Sequence, residues 1–187
     1  IVNIPEESLL QEFGLPKGGM EMIDVEKKRQ IHERISTMKQ VRATGGSTSN
    51  TIHGIAHLGG ETGYIGKVGN DEVGRFFEED MKKNGICPHL IHTSDIDTGI
   101  ATTLMTEDAE RTFATYLGAA ASMTADEVDV EILKAYDCIH VEGYLIFNHD
   151  LILHACQLAK ANGLKISMDM ASYNLVQAEK TFVGELL

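Results

Sequence analysis

Tryptophan is absent from this chain, cysteine and proline occur three times each, and acids outnumber Lys and Arg by 28 to 16. The thin basic complement and the net charge of −12 argue against a nucleic-acid partner, which needs clustered Lys and Arg. A few backbone amides can still hold phosphate locally, so acidity does not exclude a phosphorylated ligand. Cys87, Cys138 and Cys156 form no CxxC pair. Free thiols in a reducing cytoplasm fit them better than a disulfide framework or a zinc site. No apolar run approaches membrane-spanning length. Ile1 to Leu10 contains Pro5, Glu6 and Glu7 and lacks a basic stretch, so it does not read as a secretory signal. A soluble cytoplasmic protein with no membrane partner is expected.

What is present is a 187-residue chain, 43% hydrophobic, with 18 glycines: enough for one domain with a sizeable core and many tight turns. From Val41 onward, short apolar runs alternate with helix-length amphipathic segments. Strands are predicted at Val41 to Thr44, Thr62 to Val68, from Leu90 through His92, at Cys138 to Val141 and at Leu164 to Met168. Helices are predicted at Ser47 to Leu58, Asp71 to Asn84 and His149 to Asn162, with Gly85 and Gly163 suited to left-handed caps. Thr124 and Glu127 form a capping box for a further helix through Ala135. The alternation implies parallel strands joined by helical crossovers, hence an α/β class with helices on both faces.

Two stretches break this rhythm. Gly99 to Thr106 and Arg111 to Leu117 read as a β-hairpin around Glu107 to Glu110. Ile1 to Ile4 reads as a short strand stopped by Pro5. A hairpin inserted in an α/β pattern is either a flap over a site or an ornament on a sheet edge.

The most informative segment is Gly45-Gly46-Ser47-Thr48-Ser49-Asn50, where a strand gives way to a helix. Adjacent glycines admit a ligand to the backbone, and amides at the helix start point toward it. Asn50 offers both a donor and an acceptor, which suits hydroxyl recognition. The same string is also compatible with a plain glycine turn, a Ser cap and an exposed Asn. No Walker A ending follows, and the glycines of Gly66 to Gly74 are misplaced for a dinucleotide fingerprint. Asp71 reads instead as a helix cap. His53 and His57 share a helix face without a third ligand, which reads as packing or surface.

The ordered set Gly45-Gly46, Asn50, Gly59, Gly69, Asp71 and Gly74 resembles the N-terminal signature of the PfkB family of ribokinase-like kinases. Gly-Gly-Ser-Thr-x-Asn is closer to the adenosine kinase version, since many sugar kinases carry a small residue at Thr48 and at Ile52. The hairpin, the strand ending at Glu142-Gly143-Tyr144 and the strand ending at Asp169 fall in family order, so the resemblance spans nearly the whole chain.

The resemblance implies a ribokinase-like, mostly parallel sheet flanked by helices, with a small β lid from residues 1–4 and 98–118. It assigns acceptor binding to Gly45, Gly46, Ser47, Asn50 and Glu142. It makes Thr98, Gly99 and Arg111 lid residues, with Arg111 either stabilising transferred phosphate or standing as an exposed hairpin arginine. One lid face, Ile100, Thr102 and Leu104, is expected to line the pocket. Asp169 is not expected to ligate metal directly. The implied reaction transfers phosphate from ATP, with Mg2+, to a hydroxymethyl group of a sugar or nucleoside. A homodimer through the lid is also implied for ribokinase-like members. The family's catalytic Asp, anion hole and nucleotide loops are expected beyond Leu187, so residues 1–187 should carry mainly the acceptor half and be inactive alone. The competing expectation is a non-catalytic sugar- or nucleoside-binding module of the same fold.

Overall fold

The computed structural model describes residues 1–171 and 173–186. The chain opens with β1 (Val2–Asn3), α1 (Ser8–Glu12), β2 (Met20–Met22) and α2 (Val25–Ile35). Helix α3 (Ser47–His57) leads into a first βαβ unit: β3 (Thr62–Gly69), α4 (Glu72–Lys83) and β4 (Ile86–Thr93). The hairpin follows as β5 (Thr98–Met105) and β6 (Arg111–Gly118), and then α5 (Val130–Leu133). A second βαβ unit comprises β7 (Cys138–Val141), α6 (His149–Ala161) and β8 (Lys165–Met168), with α7 (Tyr173–Ala178) and α8 (Lys180–Leu186) after it.

Local chemistry sets the helix ends. The Asp71 carboxylate accepts from the Gly74 N–H at 2.7 Å to start α4, and Gly85 ends that helix at φ +75°. Asn148 accepts from the Leu151 N–H at 3.2 Å to start α6, and Gly163 follows it at φ +77°. Strands β3 and β4 pair in parallel from Thr62↔Ile86 to Gly69↔Thr93, and β7 and β8 from Cys138↔Lys165 to Val141↔Met168. Ile65, Ile91 and Ile139 of the two ladders pack on one cluster with Leu133 of α5 and Leu151 and Ala155 of α6. On the other side Tyr64 meets Phe77 of α4 edge-on, with ring centroids 5.3 Å apart. The parallel layer therefore has helices on both faces, as the alternation predicts.

The hairpin belongs to a separate four-stranded sheet of order β1-β5-β6-β2. Strands β5 and β6 are antiparallel, while β1 joins β5 and β2 joins β6 in parallel. This sheet has its own core: Val2, Leu9, Leu10, Ile31, Ile35 and Leu104 are all 4% exposed or less. Each such side chain contributes about 1.5–3 kcal/mol relative to exposure.

Several expectations need correction. Ile100, Thr102 and Leu104 do not face a pocket: Leu104 lies in the core beside Ile31 and Ile35, and the Thr102 hydroxyl is 3.3 Å from His32 Nε2 of α2. Helix α2 was not read from the sequence, and it covers that face. Val41 to Thr44 is not a strand; Gln40 makes a single bridge to Val2, and Val41 bonds only to Ile1. The helix expected through Ala135 is broken. The capping box at Thr124 and Glu127 starts a three-residue turn, Val128 turns extended and buries, and Asp129 caps α5 afresh. Strand β4 begins at Ile86, ahead of the predicted Leu90, because Pro88 is accommodated opposite Tyr64 without a donated ladder bond.

Candidate functional site

Open α/β sheets bind ligands outside the carboxyl ends of their strands. Here those ends carry two acids: Glu142 directly follows β7, and Asp169 directly follows β8. Their backbones touch closely. A Cβ at Gly143 would stand 2.1 Å from the Asp169 carbonyl oxygen, so only glycine permits this approach. Two residues on, Ala171 adopts φ +55°, a left-handed conformation uncommon for a residue with a side chain. Its N–H donates to Asp169 Oδ1 at 2.7 Å. That bond, and after it one from the Ser47 hydroxyl, holds the Asp169 carboxyl below the usual carboxylate range.

Helix α3 aims its start at this pair of strand ends. Gly46 precedes it at φ +103°, where a side chain would be strained. The Ser47 hydroxyl lies 2.7 Å from both oxygens of Glu142, the Thr48 N–H donates to Oε2 at 3.0 Å, and the Tyr144 N–H donates to Oε1 at 3.2 Å. Glu142 thus satisfies an orphan amide at the α3 N-terminus, where negative charge is favoured. Ser47 has one proton to share between the Glu142 and Asp169 carboxylates.

On the other side of the glycines, the Thr44 hydroxyl donates to Asp80 Oδ2 of α4 at 2.6 Å. Gly45 and Gly46 are therefore an exposed span between two tethered hydroxyls. A Cβ at Gly45 would meet nothing within 4 Å, so the space above it is open. Asn50 is exposed, one turn into α3, and its backbone N–H closes the turn at Gly46 O over 2.9 Å. Of the residues singled out from the sequence, Ser47, Thr48 and Glu142 are brought into direct contact. Their hydrogen bonds run within the protein.

The lid is joined to the same edge. Asp71 Oδ2 accepts from the Thr98 N–H at 2.7 Å, Asp71 Oδ1 accepts from the Thr98 hydroxyl at 2.8 Å, and the Gly69 N–H donates to Thr98 Oγ1 at 2.9 Å. Thr98 is buried by these bonds, and a Cβ on Gly99 would lie 2.4 Å from Leu117 O. Both residues build the base of the hairpin. Arg111 pairs with Met105 at the opposite end of the hairpin, exposed, with its guanidinium 5.9 Å from the Phe113 ring centre. Sequence reading took Asp71 for a helix cap and missed its grip on the lid; the signal was the acid following Gly69 at a strand end. Among the described residues no group of three or more His, Cys, Asp or Glu could hold a metal ion, and no described helix is long and apolar enough to cross a membrane.

A profile of the pfkB family carbohydrate kinases matches residues 15–180. The chain belongs to that family. Fructokinase-1 of Zea mays is 30% identical over 132 residues, covering 69% of this chain and 39% of the relative. A 5-dehydro-2-deoxygluconokinase of Halalkalibacterium halodurans is 29% identical over 190 residues, covering 95% and 56%. The crystal structure of adenosine kinase from Sinorhizobium meliloti superposes with a TM-score of 0.84 at 31% identity, covering 100% of this chain and 58% of that one. The chain thus spans about half the length of the pfkB relatives it matches, and it shares their ribokinase-like architecture.

Proposed function

We propose that this chain is the acceptor-binding half of an ATP-dependent kinase that phosphorylates a hydroxymethyl group of a sugar or nucleoside. The observation that carries this reading is the exposed Gly45-Gly46 span, tethered at Ser47 to the strand-end carboxylate of Glu142. In this reading the acceptor lies over the glycines. Asn50 and Glu142 take its hydroxyls, and the lid held at Asp71 and Thr98 excludes water that would compete for the phosphoryl group. Orientation of the acceptor and exclusion of water are what these residues supply. ATP and magnesium are implied by the family; among the described residues no group of three or more His, Cys, Asp or Glu could hold the ion. A cytoplasmic location and a lid-mediated homodimer accompany this reading as further proposals.

The test uses the full-length protein with a panel of sugars and nucleosides in a coupled ATP-consumption assay. Asn50→Ala removes one or two hydrogen bonds from a closed pocket. It is expected to weaken acceptor binding by about 1–3 kcal/mol, roughly one to two decades, and to leave the ATP constant within about three-fold. Unchanged acceptor kinetics in a folded Asn50→Ala protein would remove the central residue of this reading. Acceptor binding without any phosphorylation in the wild type would replace the kinase by a non-catalytic binding module. Residues 1–187 alone are expected to show no turnover, and acceptor-dependent turnover by them would overturn the division into halves.

A further inference from the structure

The acceptor loop is held on its Ser47 side by a residue of the site itself. On its Thr44 side it is held by Asp80 of α4. Asp80 Oδ2 takes the Thr44 hydroxyl at 2.6 Å and stands 3.2 Å from His53 Nε2. His53 lies on α3, and its other ring nitrogen is 2.8 Å from Ser49 O. Ser49 is 1% exposed, directly before Asn50. One carboxylate therefore meets the residue that enters the glycine span and the helix that leaves it. The contacts cross 36 and 27 residues of sequence, so they arise from the fold and not from local turn geometry.

The side chains are well placed for a constraint of this kind. His53 is 16% exposed and Asp80 27% exposed, so their contact is partly shielded from water. Both ring nitrogens of His53 lie within hydrogen-bond distance of an oxygen, and a neutral ring donates to one of them at a time. Bonds from Thr44 first, and from His53 with a smaller share, hold the Asp80 carboxyl below its ordinary range, the mark of a carboxylate that is engaged. The two glycines between Thr44 and Ser47 would otherwise sample many backbone states, and a tether at each end restricts them to the one in which Asn50 is presented.

We infer that Asp80 is a positioning residue for acceptor binding: through Thr44 and His53 it fixes the Gly45-Gly46 span and the first turns of α3. This rests on the acceptor-loop reading proposed above, and it extends that reading to a side chain that touches no ligand.

The experiment compares Asp80→Ala, Asp80→Asn and Thr44→Val in the full-length protein, with Leu133→Ala as a core variant for loss of stability alone. Two quantities are read: amide exchange across residues 44–50, and the acceptor and ATP constants. Asp80→Ala is expected to speed exchange across the loop and to raise the acceptor KM about five- to ten-fold, with the ATP KM within about two-fold. Thr44→Val should reproduce part of this. Asp80→Asn keeps an oxygen for the Thr44 hydroxyl and should restore most of the acceptor affinity. Loop exchange in Asp80→Ala no faster than in Leu133→Ala would overturn the inference, and so would an acceptor KM that stays at the wild-type value. The acceptor-loop reading fails separately, through Asn50→Ala. If the wild type turns over no acceptor at all, the exchange measurement still decides whether Asp80 holds the loop.

Discussion

The two βαβ units share one topology and nearly one length, residues 62–93 and 138–168, yet their strand ends hold different things. The first pairs eight residues along β3 and β4, and the second only four along β7 and β8. After β3 comes Asp71, whose carboxylate grips Thr98 and so the base of the hairpin. After β7 comes Glu142, whose carboxylate grips Ser47 and Thr48 and so the loop before α3. Equivalent positions thus tether two different parts of the molecule, the cover and the floor of the proposed site. An acid at a strand end is defined by the distant donors it collects, and the unit around it is interchangeable.

If that division is right, damage to one unit should not spread to the other's tether. The largest effect is expected from Gly143→Ala, which forces a Cβ to within 2.1 Å of the Asp169 carbonyl. A loss of about 3 kcal/mol is expected in chemical denaturation, together with loss of acceptor binding. Gly163→Ala, in the same unit at φ +77° with open space around it, should cost only about 1 kcal/mol. Equal losses from the two would show that the close approach of β7 and β8 is unimportant.

Asp71→Ala comes next. It removes a helix cap and two bonds to Thr98, for an expected cost of about 2 kcal/mol. Amide exchange should then accelerate at Thr98 and stay unchanged at Thr48, while Glu142→Ala should give the reverse pattern. Acceleration at both amides in either variant would mean that lid and loop are one cooperative unit.

A smaller and shared effect should appear in acid. Burial works to raise the Asp71 carboxyl, but the Thr98 and Gly74 amides and the Thr98 hydroxyl outweigh it, and the net shift is downward. Asp169 is also lowered, by the Ala171 amide and then the Ser47 hydroxyl. A group lowered on folding adds stability that is complete above its unfolded pKa, about 3.9, and disappears as pH falls through the folded value. The contribution of these two carboxyls is therefore expected to be level above about pH 5 and to drop below about pH 4, with a shallower drop in Asp71→Asn. A stability that grows on acidification would contradict both assignments. The smallest effect is expected at Ile166 of β8, which is 41% exposed: Ile166→Thr should change the stability of the 187-residue chain by less than about 0.5 kcal/mol.

The second unit was the more legible in sequence. Strand β7 lies where it was predicted, and α6 and β8 each fall within one residue, because a compact apolar run, an amphipathic stretch and Gly163 mark every boundary. The β5–β6 hairpin was legible for the same reason, and Ser47 and Glu142, both singled out by family likeness, do meet. What failed was long-range. Helix α2 carries an Asp24 cap, Arg29 between Glu26 and Glu33, and buried Ile31 and Ile35, so its local signal was present. No local signal says that it covers the Ile100, Thr102 and Leu104 face, and the opposite face was equally available to alternation alone. The helix through Ala135 failed where Val128, read as one helical residue among many, turned out to be needed in the core beside Leu151. His53 read only as packing or surface and Asp80 was not singled out, because their mutual contact spans 27 residues and that of Asp80 with Thr44 spans 36.

The pairing of the lid sheet also fixes when it can form. Each βαβ unit closes over about 30 residues, through contacts its own segment supplies. Strands β1 and β2 must instead wait for β5 and β6, since Val2 pairs with Leu104 and Met20 with Phe113, and bringing such distant segments together carries the larger closure entropy. A chain emerging during synthesis would complete β3, α4 and β4 while Ile31 and Ile35 of α2 still lacked the Leu104 and Ala114 they finally pack beside. Residues 1–40, made before the hairpin, thus wait for it to find their place, with the apolar face of α2 uncovered until it arrives.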